Sequence, residues 1–107
     1  MAKVKSLFAA PAGGFDLPPV HPGLTIAEEL AARELSANAL ALKMRVPANR
    51  ITEIINGRRG ISAETALRLG RAFGNDAAFW MNLQSQFDLA VAKRDFGKRI
   101  EKEVEAA

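Results

Sequence analysis

The stretch from Ser36 to Gly57 leaves little freedom in what this chain can fold into. Ser36 is a helix N-cap type, and Ala37, Leu40, Ala41 and Met44 follow at the spacing of one apolar helix face. Arg45 and Val46 make a short turn. Pro47 then stands where proline is tolerated, at or just before a helix start, and Gly57 is a stop signal after about Asn56. Ile51, Ile54 and Ile55 line the back of this second segment. The two segments therefore read as short helices meeting across a tight turn. Ala41 is small where they cross, and Val46 plugs the corner.

The flanks extend the helical pattern. Thr25 and Glu28 have the T-x-x-E spacing of a capping box, which predicts a first helix running to about Glu34 with Ala27, Leu30 and Ala31 inward. Ser62 predicts a cap for a fourth helix with Ala66, Leu69, Gly70 and Phe73 on its core face, ended by Gly74. Asn75 or Asp76 predicts the start of a fifth, reaching about Ala92. No strand-length alternation occurs, so the expected class is all-α, with five helices.

Domain boundaries follow from composition. Residues 1–22 are rich in Pro, Gly and Ala and predict an arm, either solvated or folding onto a partner. Residues 23–92 form the helical body. Residues 93–107 carry five basic and four acidic side chains around Gly97, which predicts a solvated, fraying extension.

The outer face of the third helix carries Ala48, Asn49, Thr52, Glu53 and Asn56, with Arg50 beside them. Short hydrogen-bonding side chains of this kind suit a DNA major groove. Asn pairs with adenine, Arg with guanine, Glu accepts from cytosine, and Ala or the Thr methyl meets the thymine methyl. Two short helices with such a face form a helix-turn-helix. The expected base-reading residues are Ala48, Asn49, Arg50, Thr52 and Glu53. The net charge is only +3, yet five basic residues and one acid fall between Lys43 and Arg59. Asn38, Lys43, Asn56, Arg58 and Arg59 are accordingly expected at phosphates. Solvated loop charge is the other reading of Arg58 and Arg59.

Phe79 and Trp80 are adjacent and cannot both enter one narrow core. Trp80, Leu83, Phe87 and Val91 recur at seam-like spacing. Phe79, Trp80, Leu83, Phe87 and Val91 are therefore the expected dimer interface, with packing inside a single chain as the alternative. His21, the one histidine, is expected to be structural at the start of the first helix.

Other chemistries find no support. The chain has no cysteine, which excludes disulfides, thiol catalysis and thiolate metal sites, and is compatible with a reducing cytoplasm. No phosphate-binding, dinucleotide, zinc-protease or serine-hydrolase motif is present, and no acidic pair falls on an apolar face. No enzyme, metal or cofactor is expected. Met1 to Ala10 lacks the apolar stretch of a signal peptide.

Three strings carry a resemblance: VHPG at Val20–Gly23, SANALALKMRVPANRITEIINGRRGISAETALRL at Ser36–Leu69, and FWMNLQSQFDL at Phe79–Leu89. Between Pro19 and Leu89 the chain resembles HigA-type antitoxins of the Xre/lambda-repressor-like class. The resemblance implies a five-helix fold, a homodimer, repression of its own operon at double-stranded operator DNA, and neutralisation of a HigB-type mRNA-cleaving toxin. A repressor without a toxin, or an interaction module without DNA binding, are the alternatives. Two departures stand out. Arg45 occupies a turn position where the family often has Gly, and the arm before Pro19 is long.

Overall fold

The computed structural model describes residues 18–107, so the proposals for the arm before Pro18 lie outside the described residues. Five helices follow one another: α1 (Gly23–Ala32), α2 (Ala37–Met44), α3 (Ala48–Ile55), α4 (Ala63–Phe73) and α5 (Ala77–Glu103). No strand occurs among the described residues.

α1 begins before the expected capping box. Thr25 lies within the helix, and Pro22 holds the N-cap position at φ −61° without a side-chain cap. The cap comes from one residue further back. The Gly23 N–H donates to His21 Nδ1 at 3.0 Å. Gly23 is required because a Cβ there would run into the Ile54 carbonyl of α3. Backbone thus packs directly on backbone, which fixes how α1 lies against the end of α3.

The caps of α2, α4 and α5 follow sequence logic. Ser36 accepts from the Ala39 N–H and Ser62 from the Thr65 N–H. Asp76, rather than Asn75, caps α5 through the Ala78 N–H. Gly74 ends α4 at φ 76°. α2 ends on a non-glycine residue: Arg45 takes the left-handed conformation, φ 59°, and the Val46 N–H reaches back to the Ala41 carbonyl at 3.1 Å. The Met44 carbonyl at this end is closed by Arg68 of α4, whose Nη1 donates to it at 2.8 Å.

One core serves all five helices. Ile26 and Leu30 of α1, Leu40, Ala41 and Met44 of α2, Ile51 and Ile54 of α3, and Ala66, Leu69 and Phe73 of α4 are buried together with Ile61 and Trp80. Burying a branched side chain of this size contributes roughly 1.5–3 kcal/mol. Eleven of these twelve side chains lie before α5, so the core is built around the α2–α3 pair and Trp80 is what α5 adds to it.

α5 departs from expectation. It runs 27 residues, to Glu103, without a break at Ala92 or at Gly97. A helix-interior glycine costs only about 1 kcal/mol relative to alanine. The flanking Lys, Arg and Glu residues are good helix formers, and Arg99 pairs with Glu103 at 3.2 Å one turn on. No described helix is long and apolar enough to cross a membrane.

Candidate nucleic-acid interface

α3 is an eight-residue helix with a divided surface. Ile51 and Ile54 are fully buried, which leaves the helix one way to face. Ala48, Asn49, Thr52 and Asn56 are exposed on the far side, and Arg50 and Glu53 are partly covered at its edge. The five expected base-reading residues therefore do share one accessible region. Their side chains are not equally free. Thr52 Oγ1 donates to the Ala48 carbonyl at 3.3 Å, turning its proton inward and presenting the methyl.

Glu53, expected at a base edge, is engaged within the chain. Its Oε1 accepts from Arg59 Nε at 3.0 Å and lies 2.9 Å from Arg59 Nη2. A carboxylate held by a guanidinium is a poor acceptor for cytosine, and Arg59 is correspondingly less available to a phosphate. The reason is local geometry. Gly57 turns the chain at φ 74°, and the Arg58 N–H returns to the Glu53 carbonyl at 2.8 Å, folding Arg59 back over the last turn of α3.

The remaining expected phosphate residues surround α3 at the surface. Asn38 and Lys43 are exposed on α2, and Asn56 and Arg58 follow α3. Arg58 has no carboxylate partner among the described residues, unlike Arg59. Arg45, at the left-handed turn, adds a further exposed cation between α2 and α3. With Ser36 capping the Ala39 N–H, the amides of Ala37 and Asn38 face outward at the positive end of α2.

The expected dimer seam splits. Trp80 has no exposed surface, and its Nε1 donates to Asn75 Oδ1 at 2.8 Å. It belongs to the core of its own chain, against Phe73 at 5.7 Å, and has nothing to offer a second subunit. Phe79 lies edge-on to Trp80 and remains 43% exposed. Leu83, Phe87 and Val91 are half-buried. The open apolar side chains of α5 lie elsewhere: Leu89, Phe96 and Ile100. The sequence spacing found a stripe, but that stripe is largely the one α5 turns toward its own domain.

His21 ties three parts of the chain together. It caps Gly23, its ring meets Phe87 edge-on at 4.8 Å, and it contacts the Arg59 backbone. Burial pushes its pKa below the usual histidine value, and the Asp88 charge and the Arg59 backbone contact oppose that shift. Sequence reasoning also missed Gln84. Its Oε1 accepts the Ile61 N–H at 2.7 Å and its Nε2 donates to Asp88 Oδ1 at 2.9 Å. A glutamine on a helix surface gives no sequence signal of such a role. No group of three or more potential metal ligands occurs among the described residues.

Comparison with known proteins places this geometry. The helix-turn-helix family (HTH_3) matches residues 26–80. Virulence-associated protein I of Dichelobacter nodosus is 49% identical over 86 residues, which cover 79% of this chain and 80% of that protein. Among solved structures, an addiction module antidote protein of the HigA family from Coxiella burnetii superposes with a TM-score of 0.82. It is 48% identical, and the match covers 85% of this chain and all of that one. Pseudomonas aeruginosa antitoxin HigA, solved with the higBA promoter, gives a TM-score of 0.79 at 46% identity, covering 81% of this chain and 96% of that one.

Proposed function

Because this chain belongs to the helix-turn-helix family, with HigA-family antitoxins among its structural neighbours, we propose that it is a DNA-binding antitoxin. In this reading it is a homodimer that represses its own operon and neutralises a HigB-type mRNA-cleaving toxin. The observation that carries the DNA reading is the divided surface of α3: Ile51 and Ile54 are locked in the core while Asn49, Thr52 and Asn56 stand in solvent. A rigid anchor behind short hydrogen-bonding side chains is what base-edge recognition requires. The promoter-bound relative, at 46% identity, supports the same assignment.

The base-reading set in this reading is Asn49 and Arg50, with Ala48 and the Thr52 methyl as apolar contacts. The phosphate set is Asn38, Lys43, Arg45, Asn56 and Arg58. Fluorescence anisotropy on the duplex upstream of the chain's own gene tests it, beside a scrambled duplex, at two salt concentrations. Binding that prefers the native duplex and weakens with salt supports a specific repressor. Equal, weak binding to both removes it.

A homodimer in this reading closes across α5. Leu89, Phe96 and Ile100 are spaced seven and four apart on one exposed face. Around this face α5 carries Lys93, Arg94, Lys98, Arg99 and Lys102 together with Asp95, Glu101 and Glu103. A second copy related by a two-fold axis would lay the same face against itself. Two recognition helices about 34 Å apart would then match a palindromic site. The toxin half of the reading is tested by co-purification with the product of a small basic reading frame lying beside the chain's own gene, where one is found. Absence of a complex leaves a repressor without a toxin.

A further inference from the structure

We propose that Gln84 is a positioning residue for DNA binding: it holds from α5 the loop that carries Arg58 and Arg59. The inference rests on the DNA reading above and adds to it a residue that would touch no nucleic acid. The loop between α3 and α4 is tied at its start to Glu53, through the Arg58 N–H and the Arg59 side chain, but among the described residues no backbone hydrogen bond within the loop holds its far half at Gly60 and Ile61. That far half is held from α5. Gln84 Oε1 accepts the Ile61 N–H at 2.7 Å, the shortest side-chain hydrogen bond among the described residues. Gly60 lies flat on the same amide, where a Cβ would come within 3.0–3.1 Å of three Gln84 atoms. The His21 ring also lies near the Arg59 backbone.

The amide is itself pinned. Its Nε2 donates to Asp88 Oδ1 at 2.9 Å, one turn further along α5. Its orientation is therefore fixed, with the oxygen toward Ile61. Ile61 is 3% exposed, so the far end of the loop is anchored in the core while the amide bond sets its path. An arginine presented by a held loop loses less conformational entropy on meeting a phosphate than one on a free loop. Gln84 lies one residue from Leu83 and three from Phe87, on the helix proposed to close the dimer. The same helix would then support both the partner subunit and the phosphate contacts.

The test uses the full chain and operator duplex by anisotropy over a salt series, with Gln84→Met, which keeps the side-chain length and removes both hydrogen bonds. The expected result is a roughly 3- to 10-fold weaker affinity. The slope of log K against log salt should be shallower by up to about one. The preference for operator over scrambled DNA should be unchanged, because α3 is not moved. In an Arg58→Ala/Arg59→Ala background the same substitution should have no further effect, whereas general loosening of the fold would add its loss again. Asp88→Ala, on an exposed residue, should give a smaller loss of the same kind and guards against a poorly folded Gln84→Met. Wild-type affinity and slope in Gln84→Met, or an undiminished effect in the double-arginine background, overturns the inference alone. A wild-type chain with no operator preference overturns the DNA reading and this inference with it.

Discussion

Arg59 Nη2 lies 2.9 Å from Glu53 Oε1, so the last acid of the recognition face and a nearby cation neutralise each other in the free protein. Both side chains are more than a third exposed, at 47% and 36%, so the pair contributes little stability. Its consequence is electrostatic. Glu53→Gln should remove a negative charge from the DNA-facing surface and release Arg59 to a phosphate. Affinity should rise for operator and scrambled duplexes alike, with a salt slope steeper by about one. A change in preference at a single base pair, without the general gain, would instead restore Glu53 as a base reader.

Asn49 and Arg58 separate the two kinds of contact. Asn49→Ala should cost about 1–3 kcal/mol on the operator and flatten discrimination at one position. Arg58→Ala should weaken binding to every duplex about equally and make the salt slope shallower by about one. Competition binding against a panel of single-base operator variants distinguishes them. Identical base profiles for Asn49→Ala and wild type would remove Asn49 from the reading face.

The left-handed Arg45 is a place where stability and binding oppose one another. A non-glycine residue at φ 59° carries roughly 1 kcal/mol of backbone strain. Arg45→Gly should therefore leave the fold as stable or up to about 1 kcal/mol more stable in urea titration, since glycine's unfolded-state entropy offsets part of the relief. The same change deletes an exposed cation beside α3, so affinity for all duplexes should fall. A clear loss of stability would mean that the Arg45 side chain holds the turn.

Much of the fold was legible because the informative residues act locally. Ser36, Ser62 and Gly74 each satisfy backbone groups within a few residues of themselves, and the isoleucine back of α3 is a matter of helical period. What escaped depends on contacts distant in sequence. The Thr25 box failed because Gly23 must meet the Ile54 carbonyl, which starts α1 earlier. The expected α5 seam included Trp80, which is wholly inside its own chain, because period alone cannot tell a face turned to one's own core from one turned to a partner. Trp80 went inward because Asn75 supplies an acceptor for its indole N–H. Gln84 and Arg68 bond backbone groups 23 and 24 residues away, and nothing in their neighbourhoods announces it.

Trp80 and Ile100 should therefore fail in different ways. Trp80→Ala opens a cavity in the core and leaves Asn75 unpaired, at a cost of about 3–5 kcal/mol by thermal or urea unfolding. Ile100→Asp lies on an exposed part of α5, half of its surface being open at 49%. It should leave the helical content of the monomer intact and weaken self-association. Sedimentation velocity across a dilution series reads the difference. An Ile100→Asp chain that sediments as wild type at every concentration would remove this face from the dimer.

His21 gives the fold a pH dependence of definite sign. As a cap it must accept the Gly23 N–H at Nδ1, which only the neutral ring can do. Burial, the largest influence, lowers its pKa below 6.5, with the Asp88 charge and the Arg59 backbone contact opposing it. The unfolded chain thus takes up the proton first as pH falls. The His21 contribution is fully present above about pH 6.5 and is lost as pH drops from there through the lower folded-state value. Unfolding free energies at pH 7.5, 6.5 and 5.5 (conditions chosen to bracket about 6.5) should fall more steeply for wild type than for His21→Gln, which has no proton to gain. Equal slopes would show that the ring is as easily protonated folded as unfolded, and the cap would then not depend on neutral His21.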